Sequence, residues 1–258
     1  MKGIFLHILY QPYKWLIFLP LFVLSTVLFI TLGICILFLF GPDVANRIAG
    51  GGWARFNSFM TPMQVTVVGR ENIIEKQSYV VVANHQSSFD IFVLWGFLGI
   101  DTRWVMKKEL RKIPLFGLAG KLGGNIYIDR SNKKGAYESL KEARKILVNG
   151  VSLIMFPEGT RSHDGNLQEF KKGAFVMSLD LGIPLLPVSI VDTRYILPLG
   201  TLNLFPGRAT LVIHEPVSGE GYDEGNLDSL ILKVRAVIQN GIERYTGSRT
   251  QNYSQCTA

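Results

Sequence analysis

The stretch NHQSSFD at 84–90 sets an aspartate five residues after a histidine, directly behind a β-branched run, YVVVA. An imidazole titrates near neutral pH, so His85 can take a proton from a hydroxyl if a carboxylate such as Asp90 fixes its tautomer. The same residues admit a plainer use. Ser87-x-x-Asp90 before the apolar run IFVLWGFLG is a capping-box pattern. On this stretch alone the cap reading leads, although one carboxylate can serve both purposes.

A second junction adds chemistry. In FPEGTRS (156–162) an apolar strand ends at Pro157 and a loop of Glu158, Gly159, Thr160 and Arg161 follows. Glycine permits close backbone approach, threonine supplies a hydroxyl, and arginine presents a planar fork suited to phosphate. A third junction, GNIYIDR, ends on another arginine, Arg130. Together the three describe a phosphate-holding site beside a general base. Cys35 and Cys256 stand far apart and away from these stretches, so they offer neither a disulfide framework nor a metal cluster. We expect no metal and no cofactor. There is no G-x-S-x-G elbow for a nucleophilic serine.

The elements that must hold these residues alternate. Strand patterns occupy 65–68, 78–83, 103–106, 125–128, 152–156, 185–190 and 209–214; helical ones occupy 88–98, 133–149 and 227–245. Such alternation predicts an α/β fold, a mostly parallel or mixed sheet with helices on its faces. Ligands then gather at the carboxyl ends of strands, where all three junctions fall.

Ahead of this body, Trp15–Phe40 runs 26 residues without a charge and is far more apolar than the chain's average of 48% hydrophobic residues. That length suits a bilayer and exceeds a signal peptide's apolar core. It predicts a retained helical membrane anchor, either a single span or a re-entrant hairpin broken at Pro20 and Gly33. The expected divisions are an anchor over 1–45, a catalytic body over 46–245 and a flexible tail over 246–258. Between Arg103 and Lys172, 15 Lys/Arg face 7 Asp/Glu within a chain of net charge +7. Beside an anchor, this basic bias favours anionic membrane lipids or a phosphorylated substrate over nucleic acid.

NHQSSFD, GNIYIDR, FPEGTRS and GIPLLPVSI resemble, in order, the four sequence blocks of the glycerolipid acyltransferases. KKELRKIPLFG (107–117) and FKKGAF (170–175) are similar to the bacterial 1-acyl-glycerol-3-phosphate acyltransferases within that family. The resemblance covers about residues 78–192. It implies acyl transfer from acyl-CoA or acyl carrier protein to the 2-hydroxyl of lysophosphatidic acid, giving phosphatidic acid. It further implies His85 as base, Asp90 as its orienting group, and Arg130, Arg161 and the Glu158–Thr160 loop around the phosphate. Lys107 joins that set or meets anionic lipid, and Pro184 and Pro187 shape a strand on the acyl-donor side. The expected place is the inner face of the cytoplasmic membrane. Rival readings keep the chemistry on another acceptor, such as glycerol 3-phosphate or a different lysolipid. A further rival is a non-catalytic protein that binds anionic lipid.

Overall fold

The computed structural model describes residues 10–113, 116–128, 144–145, 147 and 150–254. Among these, seven strands form one sheet: β1 (Met63–Val68), β2 (Val80–Ala83), β3 (Thr102–Lys107), β4 (Ile126–Ile128), β5 (Ser152–Met155), β6 (Leu185–Val191) and β7 (Gly207–Ile213). Each coincides with one of the expected strands. Their order is β1-β7-β6-β2-β5-β3-β4. All neighbours pair in parallel except β6 with β7, as a mixed sheet requires. The run VVVA is apolar throughout because β2 lies between β5 and β6 with both faces covered.

Side chains alternate across β2. Val81 and Ala83 join a core with Phe92, Val93 and Leu94 of α3 (Asp90–Phe97). Val80 and Val82 face the opposite layer, where Phe175 of α5 (Gly173–Leu181) meets Leu230, Val234 and Ile238 of α7 (Leu227–Ser254). The last helix runs through Ser254, past residue 246, where the sequence predicts a flexible tail. Of the expected helix at 133–149, most lies outside the described residues.

Of the two expected forms of the apolar segment, the structure has the unbroken helix and not the hairpin within it. One helix, α1, runs unbroken over Tyr10–Phe40. Pro20 does not break it, because it falls in the first turn of the α-helical stretch that follows a π-helical turn at Lys14–Phe18. Gly33 does not break it either: it packs against Ala49, whose Cβ would lie 3.1 Å from a Cβ at position 33. The chain turns instead at Gly41, with φ of 85°. It returns through a second helical arm, α2 (42–60), which crosses the expected boundary at residue 45.

The two arms pack antiparallel. Trp53 Nε1 donates to Thr26 Oγ1 at 3.1 Å, and the Phe29 and Phe56 rings lie 6.1 Å apart. Both ends of this hairpin are tied to the body. At the open end Tyr13 closes the arms on each other by donating to the Met60 carbonyl, and Lys14 Nζ donates to that of Leu202 in the body. At the turn, buried Arg103 pairs with Asp43, and Asn46 Nδ2 donates to the Gly123 carbonyl at 2.8 Å. The outer face of α1 stays bare, with Leu16, Leu24, Leu28, Phe38 and Leu39 exposed. By length and composition α1 is able to cross a membrane.

Across the sheet, α7 fixes β6 from behind. Ser189 Oγ donates to the Ile238 carbonyl and, with its proton used, accepts from His214 Nε2, both at 2.8 Å. Burial holds the His214 imidazole below its usual pKa and so favours the neutral ring. A Cβ at Gly241 would lie 2.4 Å from Ser189 Oγ and 2.6 Å from His214 Nε2. Gly241→Ala should therefore destabilise by about 1–3 kcal/mol through overpacking. A thermal melt with an unchanged midpoint would contradict this.

Candidate active site

β2, β5 and β6 run in the same direction, so the loops leaving them meet at one edge of the sheet. His85 follows β2, Phe156–Arg161 follow β5, and Thr193 follows β6. Asn84 holds the first of these loops down: its side chain accepts from Ile190 N at 2.7 Å and donates to Ile190 O at 2.9 Å.

His85 Nδ1 lies 2.7 Å from Asp90 Oδ2. That oxygen also accepts from Gln86 N at 2.7 Å and Ser87 N at 2.9 Å. Asp90 is completely buried at the start of α3. The N-cap of α3 is Phe89 and no side chain caps it, so the carboxylate bonds to the imidazole and to the loop before the helix and does not act as the expected cap. Its other oxygen, Oδ1, accepts from the Thr193 hydroxyl. The phenyl ring of Phe156 stacks on the imidazole, with centroids 3.9 Å apart and planes 11° from parallel. His85 is thereby fixed at its nitrogen and along its face.

The loop after β5 divides into unlike parts. Glu158, grouped by the sequence with the phosphate contacts, is buried instead, and both its oxygens are occupied. Oε1 accepts from His85 N at 2.6 Å and Oε2 from Gln168 N at 3.0 Å. Burial pushes its carboxyl above the usual pKa range, while these N–H groups draw it down. Glu158 is a brace that joins the two loops; a carboxylate here would repel phosphate. Gly159 adopts φ of 76°, and Lys171 Nζ lies 2.6 Å from where its Cβ would stand. Thr160 and Arg161 reach the open cavity. Arg161 Nη1 donates to Ser88 Oγ at 2.5 Å, which holds the guanidinium next to the histidine loop.

Lys107 closes β3, and only its backbone is described; Arg130 lies outside the described residues. Pro184 and Pro187 belong to the sheet. The Pro184 carbonyl accepts from Val80 N, the Pro187 carbonyl accepts from His214 N, and neither lines the cavity. Sequence reasoning missed Thr193, Phe156 and Lys171. Phe156 and Lys171 stood inside quoted stretches, whereas Thr193 lies 103 residues from the carboxylate that it meets.

A cavity of about 500 Å³, well within the range of ligand sites, opens beside His85, Ser88 and Arg161. It continues between Trp95, Trp104 and Met106 to Phe29, Ile34 and Leu37 of α1. Its lining is largely apolar, with His85, Ser88, Thr160 and Arg161 among the polar groups, a composition that suits a lipid with an anionic head. No group of three or more His, Cys, Asp or Glu residues is placed to hold a metal among the described residues.

The sequence model of the acyltransferase family matches residues 64–191, which carry the dyad and the loop after β5. A 1-acyl-sn-glycerol-3-phosphate acyltransferase from Chlamydomonas reinhardtii is 31% identical over 238 residues, or 89% of this chain and 70% of the relative. One from Haemophilus influenzae is 33% identical over 152 residues, 58% of this chain and 62% of that protein. A chloroplastic one from Arabidopsis thaliana is longer: at 33% identity, the aligned part is 62% of this chain and 45% of the relative. The crystal structure of the 1-acyl-sn-glycerophosphate (LPA) acyltransferase PlsC from Thermotoga maritima matches with a TM-score of 0.76 at 30% identity, covering 95% of this chain and 98% of that one. With the fold shared along nearly its whole length and the sequence pattern running through the strands that bear the site, the chain belongs to the acyltransferase family.

Proposed function

We propose that the protein transfers an acyl chain from a thioester, acyl-CoA or acyl carrier protein, to the 2-hydroxyl of 1-acyl-glycerol-3-phosphate. The products are phosphatidic acid and a free thiol. The observation that carries this reading is the His85–Asp90 contact at the mouth of an apolar cavity that Arg161 also borders. With Nδ1 held by Asp90, Nε2 is the nitrogen that takes the hydroxyl proton as the oxygen attacks the thioester carbon. When the tetrahedral intermediate collapses, the carbon–sulfur bond breaks, and the imidazolium returns that proton to the departing thiolate. Stacked Phe156 and buried Asp90 both favour the cationic ring formed in between. Arg161 binds the phosphate and so places the hydroxyl, with Thr160 beside it and Lys107 and Arg130 adding positive charge. The cavity takes an acyl chain. The names of the relatives and the end-to-end likeness of fold support the same acceptor.

The hairpin supports a seat in one leaflet. Because α1 lies lengthwise on α2, and α2 is tied at the turn through Asp43 and Asn46, the bare face of α1 points away from the body along its whole length. The body then lies on the cytoplasmic side, where acyl-CoA and acyl carrier protein are found.

His85→Ala should lower thiol release from acyl-CoA by at least about 10³-fold, within the range of general-base loss. Arg161→Ala should mainly raise KM for lysophosphatidic acid, by about 10- to 100-fold, the worth of hydrogen bonds to a charged partner. A folded His85→Ala protein that keeps normal turnover would refute the mechanism. Release that depends on glycerol 3-phosphate or another lysolipid instead would reassign the acceptor. For the anchor, Pro12→Cys in a background without Cys35 and Cys256 should resist impermeant maleimide in intact cells. It should react once the membrane is opened; labelling from outside would mean that α1 spans.

A further inference from the structure

Burying a carboxylate is costly unless each lone pair finds a donor, and the Asp90 carboxylate is fully buried. Oδ2 receives its three donors from the histidine loop itself, at residues 85, 86 and 87. Oδ1 turns the other way, toward the end of β6, and meets the hydroxyl of Thr193, itself completely buried. Thr193 is held there by local geometry. It begins α6 (Thr193–Ile196) directly after Asp192, which takes the left-handed conformation with φ of 71°. A non-glycine residue in that region needs support from its surroundings. Here the turn redirects the chain so that a threonine, and not a residue of the strand, faces α3.

We infer that Thr193 is a positioning residue for acyl transfer: its hydroxyl fixes the rotation of the Asp90 carboxylate and, through it, the imidazole of His85. This rests on the reading of His85 as general base. Thr193 touches neither substrate in this arrangement. Its effect is exerted through the angle at which Oδ2 meets Nδ1 and through the charge that the carboxylate retains. A hydroxyl donated to Oδ1 stabilises the anion. Without it Oδ1 is left buried with no donor, and the carboxylate is free to turn away from Nδ1. The other charged groups near the pair are Glu158, bonded to His85 N, and Arg161, tied to Ser88; neither bonds to Oδ1.

The test compares Thr193→Val, which keeps the shape and removes the donor, with Thr193→Ser, which keeps the donor. Thr193→Val should lower kcat by about 10- to 100-fold with KM for lysolipid nearly unchanged, as expected for a lost hydrogen bond to a charged group. Thr193→Ser should restore kcat. A proton NMR readout on full-length protein in detergent does not depend on activity. The far-downfield resonance of the His85 Nδ1 proton should shift or broaden in the valine variant and return in the serine variant. If Thr193→Val does not fold, Thr193→Ala takes its place in the same comparison. A valine or alanine variant with wild-type kcat and an unmoved resonance would overturn the assignment. So would a serine variant as impaired as valine, which would make the methyl the important group. Wild-type protein that releases no thiol from any donor would defeat the proposed reaction, while the resonance would still decide whether Thr193 positions the pair.

Discussion

An anionic side chain sealed from water has to be matched by donors from the folds around it, and in this protein that requirement falls on Asp90. Its partners come from the loop after β2 and from the end of β6. The first set is local, whereas the Thr193 contact needs β2 and β6 side by side and parallel. Other contacts serve the same end. Asn84 locks β2 to Ile190, Glu158 locks the loop after β5 to His85, and Ser189 locks β6 to the helix behind it. The sheet order therefore matters because it brings three loops together around His85 and Asp90.

Much of this was legible in the residues. Strands that are buried on both faces must be β-branched and apolar, and VVVA, SLIM and LLPVSIV announce themselves for that reason. The dyad was legible because both partners sit in one short loop, where spacing limits geometry. What could not be read depends on separation or on burial. Thr193 meets Asp90 only through the sheet, so no local pattern marks it. Glu158 looked like a member of a phosphate loop because it stands beside Gly159, Thr160 and Arg161, and only its burial reveals a brace. The re-entrant alternative for the anchor fails for a related reason. Proline and glycine are common breakers, but their effect depends on where in the helix they fall and on what they pack against.

The comparisons and the geometry bear on different parts of the protein. Likeness to other acyltransferases assigns the chain to its family, and it extends across the anchor as well as the body. The contacts explain why such a sequence needs its particular loops. A histidine with a free-swinging aspartate would be an indifferent base; one gripped at its nitrogen and stacked along its face is oriented before substrate arrives.

The cavity has two owners. One wall is the sheet and α3 side, through Trp95, Trp104 and Phe156; another is the apolar helix α1, through Phe29, Ile34 and Leu37. The apolar arm is therefore part of the cavity and not an appendage to it. Cutting it away to obtain a soluble protein would strip one side from the cavity and open its apolar lining to water.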